Sequence, residues 1–200
     1  MLWMFVWRSS QDIAVFVLED FWSRNLYHLF SSPVKLSEHL ISIILIGFLR
    51  SLATFAFMAL FSFLLYSFNI LSISPLLLAT AIFLLSLFGW VMGIFIVSFI
   101  LRFGQRIQVL AWSVVFLIQP FSCIFYPLSA LPNWAAKIAV LIPPTYVFEA
   151  LRAAIKGNMV NYTALGYSFI VNLVLFILVI FFLKSSFKKA KKTGMLVKGN

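Results

Sequence analysis

Charge is what this sequence has least of. Charged residues fill 10% of its 200 positions, and only five of them are acidic, against fifteen lysines and arginines. A soluble domain usually carries about 25% charged residues, whereas here 64% of the residues are hydrophobic and the mean hydropathy is +1.09. Only lipid solvates so much apolar side chain. The composition therefore excludes a soluble globular domain and predicts an integral membrane protein.

Cysteine, histidine and paired acids are scarce as well. The single cysteine, Cys123, excludes an intramolecular disulfide, and its apolar neighbours favour a small buried side chain. His28 and His39 show no metal-ligand spacing, and the chain has neither a Walker motif nor a nucleophile–base pair. We therefore predict no catalytic site, metal or cofactor of the chain's own. An intramembrane enzyme is disfavoured because the apolar segments lack paired acids and a serine–lysine arrangement.

The basic residues are concentrated at the C-terminus. Six of the fifteen lie in the last 17 positions, in the tail 184–200. A basic cluster directly after a hydrophobic helix is the ordinary cytoplasmic flank of a membrane span, so no nucleic-acid partner is expected. The six are Lys184, Lys188, Lys189, Lys191, Lys192 and Lys198.

Long uncharged runs predict the membrane spans. No charged residue occurs between Arg50 and Arg102, and one helix needs only about 20 residues to cross a bilayer. Turn-forming residues divide this run at Asn69–Pro75. We predict an all-α polytopic membrane protein, a single domain over 1–200, with its bundle in 41–183. The four predicted spans are near 45–68, 75–100, 107–126 and 163–183.

The bias of lysine and arginine in short loops predicts the orientation. Counting back from the tail places eleven basic residues on the cytoplasmic side and three on the outer side. Arg50 falls near the edge of the first span. There it either snorkels to the interface, which is the favoured interpretation, or contacts a substrate.

Residues 1–40 are predicted to be a cytoplasmic or interfacial segment. The apolar pieces MLWMFVW and IAVFVL are each too short to span. Residues 1–7 are either an interfacial anchor or the last turns of a span. Over 19–31, apolar residues recur at helical spacing with polar residues between them, which predicts an amphipathic helix. On composition alone this helix rests on lipid headgroups.

Proline is concentrated between positions 119 and 152, which hold five of the seven prolines. This stretch is too apolar for a loose loop and too broken for one span, and each unpaired backbone amide in lipid costs several kcal/mol. We predict an outer re-entrant hairpin over about 127–157. Its first helix begins near Asn133, Pro143 and Pro144 turn the chain, and a second helix runs from about Thr145 to Lys156 and stops at Gly157.

Glu149 and Arg152 lie one turn apart on the second predicted helix. Two interpretations remain open. The pair belongs to a lid that closes the outer end of a conduit, or it holds a helix end at the level of the lipid headgroups.

Two stretches carry a family resemblance. LRFGQRIQ followed by FYPLSALPNWAAKIAVLIPPTYVFEALR, and SRNLYHLFSSPVKLSEHL before the first span, resemble the ABC-2 type permease subunit of ABC transporters. The resemblance covers roughly residues 15–190. Such permeases usually have six spans, so a chain with four looks N-terminally short. The matching positions are Leu131, Pro132, Trp134, Pro144, Thr145, Glu149 and Arg152, with Ser32, Pro33 and Glu38 in the earlier stretch.

The resemblance implies a permease that forms the path for ATP-driven export across the cell membrane. A separate ABC ATPase subunit would bind and hydrolyse ATP, and a homodimer would enclose the path. Helix 19–31 would then be a cytoplasmic coupling helix. Its implied contacts with the ATPase are Glu19, Asp20, Phe21, Trp22, Arg24, Leu26 and Tyr27. The implied residues of the outer hairpin or gate are Pro127, Pro132, Trp134, Pro143, Pro144, Glu149 and Arg152.

One alternative function stays open. A membrane anchor or assembly protein that docks a cytoplasmic partner without transport would carry the same helix and spans. The GxxxG sequence at Gly89–Gly93 has two interpretations: a chance occurrence, which is favoured because the motif is common, or packing at a subunit contact, since small residues let helices approach closely.

Overall fold

The computed structural model describes residues 1–22, 36–67, 69–70, 73–104 and 108–193. This part of the chain folds into α-helices joined by short turns and contains no strand, which confirms the predicted all-α class. The helices are α1 (Trp3–Trp22), α2 (Leu36–Tyr66), α3 (Pro75–Phe103), α4 (Gln108–Ile118), α5 (Asn133–Ala139), α6 (Pro143–Ile155) and α7 (Tyr162–Thr193).

Helix α3 is the centre of the bundle. In its most apolar stretch 83% of the residues are buried, against 22% in α2 and in α7. It packs against α1, α4, α6 and α7, whereas α2 packs against α1. Large apolar side chains remain exposed on the outer helices, among them Leu64 and Phe181. Exposed apolar faces of this extent are faces that lipid covers.

Within the part of the chain that the structure describes, three helices are long and apolar enough to cross a membrane. They are Ile41–Tyr66, Pro75–Phe103 and Tyr162–Ala190, and a fourth crossing is counted if the bent pair α5–α6 is one span. The protein is therefore a multi-pass membrane protein. These helices correspond to the predicted spans near 45–68, 75–100 and 163–183.

The predicted span over 107–126 has a different form. Helix α4 ends at Ile118, and a 3₁₀ turn over Pro120–Ser122 follows it. Proline has no N–H group to continue the hydrogen-bond ladder, and its ring clashes with the carbonyl of the residue four positions earlier in a helix. Cys123 then adopts a left-handed conformation with φ 53°, so the helix breaks two turns before the predicted end at Tyr126.

Residues 3–22 form one continuous helix, although the sequence analysis divided them into short apolar pieces. Phe5 and Val6 are fully buried. A Cβ atom placed on Gly89 would lie 2.7 Å from Ser9 Cβ, so α1 lies directly against the backbone of α3. This packing of Phe5 and Val6 against α3 does not fit an interfacial anchor on the membrane surface.

The GxxxG sequence packs two helices of the same chain together. Gly89 and Gly93 both face α1 of the same chain, and a Cβ on Gly93 would lie 2.9 Å from Ile13 Cβ. Their missing side chains let two helices of one chain meet closely, as small residues do between membrane helices. This contact within one chain accounts for both glycines without a subunit contact.

Candidate functional site

Helices α5 and α6 form the predicted hairpin. They are bent by 100° at a short break. Ile142 is extended, with φ −97° and ψ 113°, as the residue before a proline must be, and Pro143 and Pro144 open α6. Helix α6 ends at Ile155, and Gly157 follows with φ +71°, a conformation that glycine adopts without strain. The predicted helices from about Asn133 and from about Thr145 to Lys156 are confirmed.

The charged pair on α6 holds the broken segment in front of the hairpin. Glu149 and Arg152 form an ion pair. Glu149 Oε1 also accepts a hydrogen bond from the backbone N–H of Leu128 at 2.9 Å. Arg152 Nη2 donates to the backbone carbonyl of Cys123 at 2.8 Å. Each charge therefore satisfies a backbone group that the proline-broken chain leaves without a helical partner.

Hydroxyl groups satisfy further carbonyls along the break. Thr145 Oγ1 donates to the Phe121 carbonyl at 3.2 Å, and Tyr126 donates to the Pro120 carbonyl at 2.6 Å. Ser122 Oγ donates to the Ile118 carbonyl at 3.0 Å. The segment thus has side-chain partners where it lacks a regular backbone ladder.

Helix α7 anchors the hairpin to the bundle. Ser168 Oγ donates to the Pro143 carbonyl at 2.9 Å, and the rings of Tyr146 and Tyr167 meet edge to face with centroids 5.2 Å apart. One turn further along, the buried Asn172 donates to the Leu84 carbonyl of α3 at 3.4 Å. The sequence analysis missed Ser168 and Asn172. Their spacing of four in a run of apolar residues is the signal that could have found them.

The seven predicted gate residues lie in and beside this hairpin. Pro127 and Pro132 cap the 3₁₀ turn Leu128–Ala130 and helix α5, and Pro143 and Pro144 are buried. Trp134 is 63% exposed, and its ring contacts Phe121 at a centroid distance of 6.1 Å. The structure brings Glu149 and Arg152 together with this turn through the bonds described above.

The predicted ATPase contacts fall at the end of the first described segment. Glu19, Asp20, Phe21 and Trp22 belong to the last turn of α1, and the structure describes their backbone only. The other predicted contacts, Arg24, Leu26 and Tyr27, lie outside the described residues. The coupling-helix assignment stays a prediction.

The described residues contain no group of three or more histidine, cysteine, aspartate or glutamate side chains that could hold a metal ion. The polar groups of the hairpin bind backbone atoms of the preceding segment and hold its bend in place. An arrangement of this kind is suited to a mechanical role at the end of a bundle.

Comparison with protein families gives one match. A family model described as ABC-2 family transporter protein matches residues 1–183. A comparison with curated protein sequences finds none that matches.

Proposed function

The chain belongs to the ABC-2 family of transporter proteins, and from this premise we propose that it lines the path for ATP-driven export of a substrate across the cell membrane. It is a permease component, and the family implies association with an ABC ATPase subunit. The observation that carries the proposal is the family match over residues 1–183, which includes helices α1 to α6, with the bent pair α5–α6, and α7 as far as Leu183.

The hairpin supports a role in closing the path. Its two helices are short and turn by 100°, and the second of them, α6, packs against α3 and α7. Because their polar bonds reach mainly backbone atoms of the adjoining break, the hairpin moves with that segment as one unit. A unit of this kind opens or closes one end of a bundle when the spans tilt.

The ATPase subunit would bind at the opposite end. In this proposal, residues 19–31 form the coupling helix, whose aromatic residues Phe21, Trp22 and Tyr27 bury contact area on the ATPase. The basic tail of α7 supports a cytoplasmic C-terminus, since the cytoplasmic flanks of spans are enriched in lysine. A second copy of the chain completes the wall of the path.

The test is co-purification with the ABC ATPase encoded beside this chain's gene. Leu26→Asp places a charge in the apolar face of the coupling helix, and we expect it to abolish recovery of the ATPase with the tagged chain. Met159→Asp is the matched control, because Met159 is 98% exposed between α6 and α7. Equal recovery with Leu26→Asp and with wild type would contradict the coupling-helix assignment.

The anchor alternative predicts a different result in the same preparation. A docking protein without transport binds the ATPase but leaves its rate of hydrolysis independent of the hairpin. A permease links hydrolysis to movement of its spans, so a hairpin variant changes the rate in reconstituted liposomes.

A further inference from the structure

Helices α1 and α2 line a half-open cavity with polar and apolar walls that the hairpin does not involve. Its volume is about 320 Å³, and it is lined by Gln11, Asp12, Val15, Phe16 and Arg50. The Arg50 guanidinium lies over the Phe16 ring, 5.4 Å from its centroid. The cavity therefore has a carboxylate and a guanidinium on its wall, with an aromatic ring supporting the guanidinium.

A glycine makes room for the carboxylate. A Cβ atom on Gly47 of α2 would lie 2.9 Å from Asp12 Oδ2 and 3.2 Å from Asp12 Cβ. The side chain of Asp12 thus lies against the backbone of α2. Ser51, one turn further on, does not serve as its donor, because its hydroxyl donates to the Gly47 carbonyl at 2.9 Å.

Two polar atoms of this cavity are left without partners. Asp12 Oδ2 and Gln11 Nε2 are buried, and neither has a hydrogen-bond partner within the part of the chain that the structure describes. Burying a polar group without a partner costs roughly 1–3 kcal/mol in proteins, and more for a charge. One atom is an acceptor and the other a donor, and neither is accessible from the cavity, so they mark a polar wall and are not the atoms that a ligand would contact.

The cavity lies at membrane depth. The apolar part of α2 begins at Ile41, not near residue 45 as the sequence predicted, so Arg50 is roughly 14 Å inside it at 1.5 Å per residue. The hydrocarbon core of a bilayer is about 30 Å thick. The interpretation of Arg50 as a residue that snorkels from near the edge of a span stays open beside that of a ligand contact. Ionisable residues at this depth mark binding sites and pathways.

We propose that this cavity binds a zwitterionic group, with its ammonium at Asp12 and its phosphate or carboxylate at Arg50. Arg8, four residues before Asp12 on α1, and Arg50 are the cations whose charges act on the Asp12 carboxylate, so charge alone does not exclude an anion. A ligand that carries both charges gives Asp12 and Arg50 each a direct partner. Guanidinium binds phosphate and carboxylate through two parallel hydrogen bonds, while a carboxylate accepts from an ammonium group. Taking the ligand as transported cargo rests on the proposed function, whereas the binding itself does not.

The test uses the purified full chain in detergent micelles. Three probes are titrated, and the concentration of each that half-maximally raises the unfolding temperature is measured. Short-chain phosphatidylethanolamine carries both charges, short-chain phosphatidylglycerol carries only the phosphate, and glycerophosphoethanolamine is the head group without acyl chains. We expect phosphatidylethanolamine to act at a concentration about ten-fold lower than phosphatidylglycerol, as the loss of one charged hydrogen bond predicts.

The variants divide the site into its two halves. Asp12→Asn should abolish the preference for phosphatidylethanolamine over phosphatidylglycerol. Arg50→Gln should weaken the binding of both lipids about ten-fold. Arg102→Gln is the matched control, since Arg102 lies over the Phe182 ring, 5.6 Å from its centroid, away from the cavity. If both lipids raised the unfolding temperature of the wild type at the same concentration, the proposal would be overturned even if a variant failed to fold. It would also be overturned if Arg50→Gln and Arg102→Gln weakened lipid binding equally.

The third probe identifies the source of the group. If glycerophosphoethanolamine raises the unfolding temperature at the same concentration as phosphatidylethanolamine, the ligand is a soluble zwitterion. If only phosphatidylethanolamine raises it, the ligand is a lipid head group. Both results support the zwitterion site. Co-purification of the ATPase is measured separately, so failure of this proposal is distinguishable from failure of the proposed function.

Discussion

Glu149 and Arg152 form an ion pair on one turn of α6, and both also bind backbone of the segment that precedes the hairpin. Glu149 holds the N–H of Leu128, and Arg152 holds the carbonyl of Cys123. A charged pair placed only at a helix end would contact water or headgroups. Here it ties two stretches of chain more than twenty residues apart, and this tie lets a proline-broken segment lie beside apolar helices.

The tie predicts a loss of stability on truncation. Glu149→Ala leaves Arg152 and the Leu128 N–H without their partner, and we expect it to lower the free energy of unfolding by about 2 kcal/mol, the value of hydrogen bonds to charged groups. Chemical unfolding in detergent micelles measures this loss. Lys156→Ala is the control, because Lys156 is exposed just beyond the same helix. If both variants lost the same free energy of unfolding, the ion pair would not stabilise the segment that precedes the hairpin.

The same substitution tests the hairpin as a gate. We expect Glu149→Ala to insert into the membrane at the wild-type level but to lower ATP hydrolysis by the complex with its ATPase in liposomes. The physical reason is that a hairpin freed from the break no longer moves with the spans. Wild-type hydrolysis with normal insertion would leave the ion pair with a structural role only.

Close contact of α1 and α3 predicts intolerance at their glycines. Gly89→Ala places a Cβ 2.8 Å from the Val6 carbonyl oxygen, and we expect a loss of about 1–3 kcal/mol from overpacking. Gly166→Ala is the matched control. Nothing lies within 4 Å of its added Cβ, so the greater helix propensity of alanine makes it neutral or stabilising by up to about 1 kcal/mol. If Gly89→Ala and Gly166→Ala had the same free energy of unfolding, α1 would not lie against α3.

Two buried serines predict opposite outcomes. Ser168→Ala removes the hydrogen bond to the Pro143 carbonyl, and we expect a loss of about 0.6 kcal/mol, the average for such bonds between membrane helices. Ser86 is also fully buried, but its hydroxyl has no partner among the described residues. Ser86→Ala should therefore be neutral or stabilising. Thermal unfolding of both variants in one detergent decides the comparison.

The hairpin could be predicted from the sequence because proline acts locally. The rings of Pro143 and Pro144 fix their own φ, and in the first turn of a helix their missing N–H groups cost no hydrogen bond, so the turn and the start of α6 followed from sequence alone. Pro120 carries the same signal. It was passed over because the apolar run continues through it to Tyr126, and the helix ends there all the same.

Helix α1 shows what hydropathy misses. Arg8, Gln11 and Asp12 interrupt the apolar run, so the pattern gave two pieces too short to span. Polar residues do not break a helix, however, and the room for Asp12 comes from Gly47 on another helix. A contact of that kind depends on tertiary packing, which no local pattern records. The bonds from Ser168 and Asn172 were missed for the same reason.

The central claim is that the hairpin enters and leaves the membrane on one side. It is tested in a Cys123→Ala background by placing single cysteines at Asn133 and Asn158, which are both exposed, and at Lys198 in the tail. A membrane-impermeant thiol reagent is added to intact cells. We predict that Asn133→Cys and Asn158→Cys both react, whereas Lys198→Cys reacts only after permeabilisation. If one of the two hairpin cysteines reacted in intact cells and the other reacted only after permeabilisation, α5 and α6 would cross the membrane as one span. That result would contradict the account.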